Sequence, residues 1–323
     1  MFYLINKRLL FGFVILSFCL ASCAMKSTKT KPHVVFVFGD EEYRSEESMP
    51  MLAKIVQKSL NAKVSLCYPV DSLGFVNPNV NNNIEGLEAL KTADLMVLFC
   101  RWRELPKAQA QIILDYVESG RPIVGFRTST HTFKYLKDSS MFYLNDEWPH
   151  KVLGQQWITH HGHFDDGANP LTSVFFRDKS LRPILRGVTP FDAYSWLYHV
   201  DGGKWKLNED CTPILMGKSL KSKHEMDGKL DEYPLVQPVA WTKTYQTKSK
   251  KESRIFFTTL GHPFDFKIES MRKLAVNGIY WALNLENQIP PEGSNVDIID
   301  PYQPSNSGFG ELFKKGQKPM QLK

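Results

Sequence analysis

Carboxylates and a guanidinium follow the first apolar segment of the sequence, at positions suited to acid/base chemistry. Asp40, Glu41 and Glu42 come directly after the apolar run 33–39, and Arg44 follows two residues later. A carboxylic acid can donate a proton to a departing oxygen, and a carboxylate can accept one. We therefore predict that Glu42 is a catalytic acid and that Asp40, Glu41 and Arg44 bind the substrate.

Two arginines flank a tryptophan after the apolar run 94–100. Alternate residues of an extended segment point the same way, so the guanidinium groups of Arg101 and Arg103 are expected to face one pocket, with Trp102 beside them. Such groups bind carboxylates, phosphates or sugar hydroxyls and stabilise an enolate. They could equally form ion pairs with the carboxylates at 40–42. With that alternative open, Arg101, Trp102 and Arg103 are predicted substrate-binding residues.

The segment His160-His161-Gly162-His163 is the densest cluster of imidazoles in the chain. Residues 157–163 are predicted to be a strand, on which His161 and His163 share a face and could hold a divalent metal such as Zn²⁺. The third ligand would come from His131, Asp165 or Glu42. A general acid/base role for one of these histidines and a structural role are open alternatives.

Further basic side chains follow two other predicted strands. Arg127 and His131 follow a strand at 123–126, and His262 follows one at 254–260. A histidine supplies a general base near neutral pH, and an arginine stabilises developing negative charge. We predict His131 and Arg127 to be catalytic residues and His262 to bind the substrate.

The elements that position these side chains alternate between strands and helices. Strands are predicted at 33–39, 63–70, 94–100 and 123–126, with helical segments ending near 61, at 86–91 and at 106–119. Strands that are apolar throughout and alternate with helices are typical of a parallel sheet covered on both sides. Ligands bind such sheets at the carboxyl ends of the strands, so residues 40–44, 101–104 and 127–131 are expected to meet at one edge.

Beyond residue 133 the pattern changes to short segments separated by Gly, Pro and Asp. Strands are predicted at 157–163, 173–177, 213–220, 236–245 and 254–260, before a helix at 269–284. The segment from Pro290 on is rich in Pro, Gly, Ser and Asn. It is predicted to be a tail that lies over the surface or is partly disordered.

The N-terminus has the features of an export signal. Lys7-Arg8 precedes the uncharged run 9–20, which is too short to span a bilayer and suits the apolar part of a signal peptide. The following Leu-Ala-Ser-Cys resembles a bacterial lipobox, which implies cleavage before Cys23 and lipidation of that residue. An ordinary cleaved signal is the alternative. The predicted organisation is a signal peptide (1–22), a tether (23–31), an α/β domain (32–288) and a tail (289–323).

Composition narrows the classes of partner. Apolar residues make up 42% of the chain and charged residues 23%, which is ordinary for a globular protein and excludes wholesale disorder. The formal charge of +6 is too small to indicate binding to nucleic acid. The predicted partners are a small substrate and a membrane, the latter through the lipid on Cys23, which places the protein in the cell envelope.

Several segments together resemble the trehalose-utilisation (ThuA-like) family over about residues 32–300: GDEEYRSEE (39–47), GLEALKTADLMVLFCRWRELP (86–106), PIVGFRTSTHTF (122–133), VLGQQWITHHGH (152–163), PILRGV (183–188), PVAWTK (238–243) and ALNLE (282–286). The family belongs to the class I glutamine-amidotransferase-like superfamily. The resemblance implies a flavodoxin-like three-layer sandwich with a mostly parallel central sheet. It also implies a role in the catabolism of trehalose and related disaccharides, through 3-keto sugars.

The resemblance also implies an elbow after the fourth strand, where that superfamily usually carries a nucleophilic Cys. Here residues 125–129 read Gly-Phe-Arg-Thr-Ser, without a Cys and without the G-x-S-x-G pattern of serine hydrolases. Thr128 or Ser129 would need an aligned base and an oxyanion hole to act as a nucleophile. Nucleophilic catalysis is therefore not the favoured hypothesis.

The leading hypothesis is that an exported, lipid-anchored protein cleaves a 3-keto disaccharide or glycoside by acid/base chemistry. His131 or His161 would be the base and Glu42 the acid, while Arg127, Arg101 or a metal would stabilise the enolate. One rival is a non-catalytic sugar-binding lipoprotein with an aromatic-lined groove. The other is a metal-dependent hydrolase of unmodified glycosides or amides.

Overall fold

The apolar run at 33–39 forms an interior strand of a mixed sheet. In the computed structural model, which describes residues 31–178 and 182–322, the helices and strands are, in chain order, β1 (His33–Gly39), α1 (Ser45–Leu60), β2 (Lys63–Pro69), β3 (Ile84–Glu85), β4 (Leu95–Cys100), α2 (Lys107–Glu118), β5 (Ile123–Phe126), α3 (Glu147–Leu153), β6 (Thr159–His160), β7 (Thr172–Phe176), β8 (Phe191–Ala193), β9 (Tyr198–His199), β10 (Cys211–Ser219), α4 (Lys223–Met226), β11 (Val236–Gln246), β12 (Glu252–Thr258) and α5 (Glu269–Ala282). The predicted signal peptide and nearly all of the predicted tether lie outside the described residues.

The sheet has a parallel block and an antiparallel extension. Its strand order is β3-β2-β1-β4-β5-β12-β11-β10-β7-β8. The neighbours β2, β1, β4, β5 and β12 run parallel, whereas β11, β10, β7 and β8 continue the sheet in antiparallel pairs. The predicted α/β class with a parallel central sheet is confirmed. The antiparallel extension begins at β11, because the short connection between β11 and β12 allows only a hairpin.

Alternation along β1 shows how the two faces of the sheet are covered. Phe36 and Phe38 pack in a core with residues of α1 and α5, while Val35 and Val37 belong to a second core with residues of α2 and α3. Because successive strand residues point to opposite faces, a strand that is apolar throughout must be covered on both sides. This arrangement gives the three layers that the sequence predicts.

The predicted strand at 157–163 is wrong beyond its centre. Only Thr159 and His160 pair, with Tyr198 and His199 of β9. Gly162 has φ of +139°, in the region that favours glycine, and it turns the chain out of the extended conformation. His161 and His163 therefore do not lie on one face of a strand.

The tail from residue 289 has a defined path, although residues 289–322 contain no helix or strand. The Tyr302 hydroxyl donates to the Pro263 carbonyl at 2.9 Å, and the Gly308 amide donates to the Glu42 carbonyl at 2.8 Å. The tail thus lies over the edge at which β1 and β12 end. None of the helices in the described residues is long and apolar enough to cross a membrane.

Candidate functional site

The loops after β1, β4 and β5 meet at the carboxyl edge of the parallel block, as the sequence predicts. Arg101 contacts the carboxylates of Glu41 and Glu42, and Arg127 contacts Tyr43. Parallel neighbours end on the same side of a sheet, so segments distant in sequence are brought together there. This edge is the candidate site.

Asp40 holds the first loop in place and has no exposed surface. Its Oδ1 accepts hydrogen bonds from the backbone N–H groups of Glu42 (2.7 Å) and Tyr43 (2.9 Å). Its Oδ2 accepts from the Thr128 hydroxyl in the loop after β5. These contacts occupy the carboxylate, so Asp40 positions the loop instead of binding a substrate.

Glu41 forms ion pairs with two arginines, which is the alternative that the sequence left open. Its carboxylate contacts Arg101 Nη1 and lies 2.6 Å from Arg103 Nη2. Arg103 also donates to the carbonyls of Pro78 (3.1 Å) and Val80 (2.8 Å) and is 1% exposed. Arg103 is therefore committed to the protein, and its predicted substrate-binding role gives way to a structural one.

Glu42 is a carboxyl group of this edge whose pKa lies near neutral pH. Its Oε2 atom lies 3.1 Å from Arg101 Nε, and the residue is 5% exposed. Burial raises the pKa of Glu42 to about 7, because the charge of Arg101 only partly offsets the lost hydration. A carboxyl group with this pKa can both accept and donate a proton at physiological pH.

Arg127 is fully buried beneath the site. It donates to the Thr259 carbonyl (3.0 Å) and to the Tyr43 hydroxyl (2.8 Å), and its guanidinium lies over the rings of Tyr43 (4.1 Å) and Tyr198 (4.6 Å). Cation–π contacts of this kind stabilise a desolvated guanidinium. The predicted catalytic role of Arg127 is corrected to a positioning role, because protein groups surround it.

His131 lies among aromatic rings and is 6% exposed. Its ring centroid is 5.4 Å from that of Trp157, 5.7 Å from that of Trp102 and 6.4 Å from that of Tyr198. Burial, followed by the nearby Arg101 charge, lowers its pKa well below the ordinary value. His131 is therefore neutral at pH 7 and a weaker base than predicted, although it can still form hydrogen bonds.

Two histidines of the triplet, His160 and the adjacent His163, lie on the side of His131, whereas His161 contacts other groups, so no contact supports the expected convergence of His131 and His161. A positive charge on His160 would lower the pKa of His131. The ring centroid of His160 lies 5.2 Å from that of Trp196 and 4.4 Å from that of His163. Nδ1 of His160 accepts from the Gly162 N–H at 3.2 Å, so the neutral ring carries its proton on Nε2. Burial lowers the pKa of His160 to about 2.

His161 lies in a different cluster. Its Nδ1 is 2.8 Å from the Ser222 hydroxyl, and its ring is 5.3 Å from that of His224. Burial lowers the pKa of His161 to about 4, so it is not the predicted base of pKa near 7. Within residues 31–178 and 182–322, no three or more His, Cys, Asp or Glu side chains are arranged to hold a metal ion. The predicted His161–His163 metal pair does not fit this geometry.

His262 contacts the tail. Its Nδ1 accepts from the Phe264 N–H (3.1 Å), so Nε2 carries the proton and donates to the Ser307 hydroxyl at 2.9 Å. A histidine that donates to a serine cannot take its proton, which excludes this pair as a nucleophile and base. Burial lowers the pKa of His262 to about 3, and the residue is 1% exposed.

The elbow hydroxyls are also occupied. Thr128 donates to Asp40, and Ser129 donates to the Leu98 carbonyl at 2.8 Å; neither residue is exposed. These contacts agree with the expectation that the elbow has no nucleophile. Arg44, another predicted binding residue, is likewise buried and donates to the carbonyls of Glu41 and Gly308.

Three residues of this edge have a strained backbone. Arg44, Trp102 and Arg127 have φ of 51°, 47° and 39°, in the left-handed region that bulky residues rarely adopt. Each such residue costs on the order of 1–3 kcal/mol, which the surrounding contacts must offset, and strain of this kind is found at functional sites.

A cleft of about 300 Å³ opens beside Trp102 at this edge of the sheet. Its lining includes Glu41, Trp102 and Lys134, with the amide side chains of Asn79 and Asn81. The volume lies at the lower end of the range of about 300–1,000 Å³ for small-molecule sites. Charged, amide and indole groups together suit a polyhydroxyl ligand.

Sequence reasoning missed several contributors to this edge. Tyr43 lies in the segment GDEEYRSEE, between the predicted site residues Glu42 and Arg44, so its position in the sequence could have indicated it. Tyr198 and the tail residues Ser307 and Gly308 had no such signal, because they come from segments without periodicity or a charge pattern. The pairing of Tyr198 with His160 places Tyr198 at this edge.

The chain is similar to a known sequence family and to solved structures. The sequence model of the ThuA family, described as trehalose utilisation, matches residues 34–282. A solved ThuA-like protein from Parabacteroides merdae ATCC 43184 is 15% identical, with a TM-score of 0.51 over 78% of this chain and 90% of that one. One from Bacteroides uniformis ATCC 8492 is 15% identical, with a TM-score of 0.49 over 78% and 92% of the two chains. No curated protein matches the sequence.

Proposed function

The chain belongs to the ThuA family, which is described as trehalose utilisation. On this basis we propose that the protein processes a small carbohydrate by acid/base chemistry at Glu42. The observation that carries the proposal is the position of Glu42: a buried carboxyl group of pKa about 7, 3.1 Å from an arginine, at the carboxyl edge of the sheet. Groups whose proton affinity matches the working pH are the effective general acids and bases.

The proposed substrate is a 3-keto disaccharide or glycoside, in which the carbonyl acidifies the proton on C2. Ionised Glu42 removes this proton, the enolate expels the glycosidic oxygen from C1, and protonated Glu42 returns the proton to that oxygen. The C2–H and C1–O bonds break and a C1=C2 double bond forms. No covalent nucleophile is required, which is consistent with the occupied hydroxyls of Thr128 and Ser129.

Neighbouring groups support this chemistry in different ways. Arg101 lies beside Glu42 and would stabilise the negative charge of the enolate. His131 is neutral and would hydrogen-bond to the sugar instead of acting as the base. The rings of Trp102 and Trp157 around it exclude water and provide apolar surface for the substrate.

The direct test is to incubate the protein from Lys26 onward with trehalose and with 3-ketotrehalose and to follow free glucose. Release of glucose from the keto sugar alone supports the proposal, and the Glu42→Gln variant should lose it. Release from trehalose itself would point to hydrolysis of unmodified glycosides and contradict the enolate route.

Non-catalytic sugar binding is a second candidate, favoured by one observation. The guanidinium groups of Arg101 and Arg103 are already paired with Glu41, which reduces the positive charge available to an enolate. The same experiment distinguishes the two candidates, since micromolar binding without turnover of either sugar would support this second role.

The location of the protein is also a proposal. The uncharged run at 9–20 followed by Leu-Ala-Ser-Cys supports export and lipidation at Cys23. Two or more acyl chains are needed for stable anchoring, because each buried CH₂ contributes about 0.8 kcal/mol. The domain would then lie in the cell envelope, at the periplasmic or outer-membrane surface.

A further inference from the structure

Residues 303–314 of the tail, here called the strap, cross the candidate site without forming a helix or strand. The strap is attached on two sides of the site. At its start, the Ser305 N–H lies 3.3 Å from both carboxylate oxygens of Glu47 in α1, and further on the Ser307 hydroxyl accepts from His262 after β12. Beyond the site, the Gly310 carbonyl accepts from the Asn79 amide at 3.0 Å.

At its centre the strap is bonded to the loop that carries Glu42. The Gly308 N–H donates to the Glu42 carbonyl at 2.8 Å, and the Gly308 carbonyl accepts from Arg44. Gly308 has φ of +143°, and a Cβ at this position would lie 2.7 Å from Leu312 Cδ1. The positive φ favours glycine at this position, and the atom that a Cβ would meet is the end of another side chain of the strap.

The next residue, Phe309, covers the arginine that faces Glu42. The Arg101 guanidinium carbon lies 3.6 Å from the ring centroid of Trp102 and 5.1 Å from that of Phe309. The same Arg101 is 3.1 Å from the Glu42 carboxylate. Phe309 is itself 53% exposed, so it lies between the arginine and the solvent and contributes little to the core.

We propose that Phe309 is a positioning residue of the candidate site, which holds Arg101 against Trp102 and keeps water away from the Arg101–Glu42 pair. This role rests on the proposed function, because that function makes Glu42 the acid/base group. An aromatic ring is suited to this positioning role, because its face attracts the guanidinium and replaces the water that would otherwise hydrate both charges.

Charge on the strap does not account for the state of Glu42. The charged and titratable groups that act on Glu42 are Asp40 and Tyr43 in its own loop, Arg101 after β4, Arg127 after β5 and Tyr198 in β9. None of them belongs to the strap. The largest cause of the raised pKa of Glu42 is burial, and the strap covers its backbone and its arginine partner.

The test is an NMR titration of the Glu42 carboxyl carbon in the full domain, assigned with Glu42→Gln. Phe309→Ala should lower the midpoint from about 7 by about one unit or more, because water then reaches the pair. Phe309→Tyr should keep the wild-type midpoint. Leu312→Ala, which removes another exposed apolar side chain of the strap, is the matched control and should leave the midpoint unchanged.

An unchanged Glu42 midpoint in Phe309→Ala, or an equal shift in Leu312→Ala, would overturn the proposal. If the alanine variant does not fold, Phe309→Gln provides the same measurement with a hydrated side chain of similar reach. The titration is done without substrate, so it can succeed even if the protein turns over no sugar. A failed turnover assay therefore counts against the proposed function and leaves the role of Phe309 standing.

Discussion

Glu42 Oε2 lies 3.1 Å from Arg101 Nε, and yet the pKa of Glu42 is raised to about 7. Two features explain why the arginine does not keep this carboxyl ionised. First, the Nε atom of Arg101 has no hydrogen-bond partner, so its contact with Glu42 is an ion pair without the geometry of a hydrogen bond. Second, Arg101 also forms an ion pair with Glu41. Burial therefore outweighs the ion pair, as is common for desolvated charges.

Replacing Glu42 by Gln should abolish most of the proposed turnover of 3-keto sugars. Loss of a general acid or base lowers kcat by about 10²–10⁴-fold, while the amide keeps the shape of the side chain and much of the binding. Initial rates and a binding isotherm measure the two effects. Glu85→Gln, on the exposed edge strand, is the control; equal rates in wild type and Glu42→Gln would remove Glu42 from the mechanism.

The pH profile should show the titration of Glu42. If ionised Glu42 takes the C2 proton, kcat/KM rises with pH through about 7 and then levels off, since the active carboxylate is populated above its pKa. His131 and His160 have lowered pKa values and are neutral in this range. A profile that falls through pH 7 would contradict the base role.

Thr128→Val should destabilise the protein through Asp40. The valine cannot donate to the buried Asp40 carboxylate, and hydrogen bonds to charged groups contribute about 1.5–3 kcal/mol. Urea denaturation measures the free energy of unfolding. Thr212→Val, at an exposed position of β10, should change it by less than about 0.5 kcal/mol, and similar values for both variants would refute the role of Asp40.

The contribution of Glu46 to the free energy of unfolding should fall as pH rises from about 4.5 to 8. Burial raises the pKa of Glu46 to about 8 from an ordinary value of 4.5, so over this interval the folded state holds a proton that the unfolded state has released. Each pKa unit is equivalent to about 1.4 kcal/mol.

Glu46→Gln removes this titration, and its stability relative to wild type should therefore increase from pH 5 to pH 8. Thermal or urea unfolding at the two pH values provides the comparison, with the exposed Glu209→Gln as control. A difference between Glu46→Gln and wild type that does not change with pH would show that Glu46 is ionised in the fold.

Cys23→Ser should release the protein from the membrane. The lipid requires the thiol, and without it the remaining tether has no apolar segment for anchoring. Fractionation of cells, with detection in membrane and soluble fractions, measures the effect; Cys211→Ser is the control. Retention of Cys23→Ser in the membrane fraction, in a form from which residues 1–22 have been cleaved, would contradict lipid anchoring.

The sequence by itself determined the parallel block and the edge where its loops meet. The apolar runs at 33–39, 95–100 and 123–126 can only be strands covered on both faces, and parallel strands end on one side. This is why Glu41, Glu42 and Arg101 could be placed together from their positions after those strands.

The roles of individual side chains were decided by the tertiary structure. A pKa depends on burial and on the charges that the fold brings near, so neither the raised pKa of Glu42 nor the lowered pKa of His131 has a local signal. The separation of His163 from His161 depends on a turn at Gly162, and the covering of Arg101 by Phe309 depends on the path of a tail without periodicity. Local patterns fix the elements, whereas long-range packing fixes which groups are hydrated, paired or free to react.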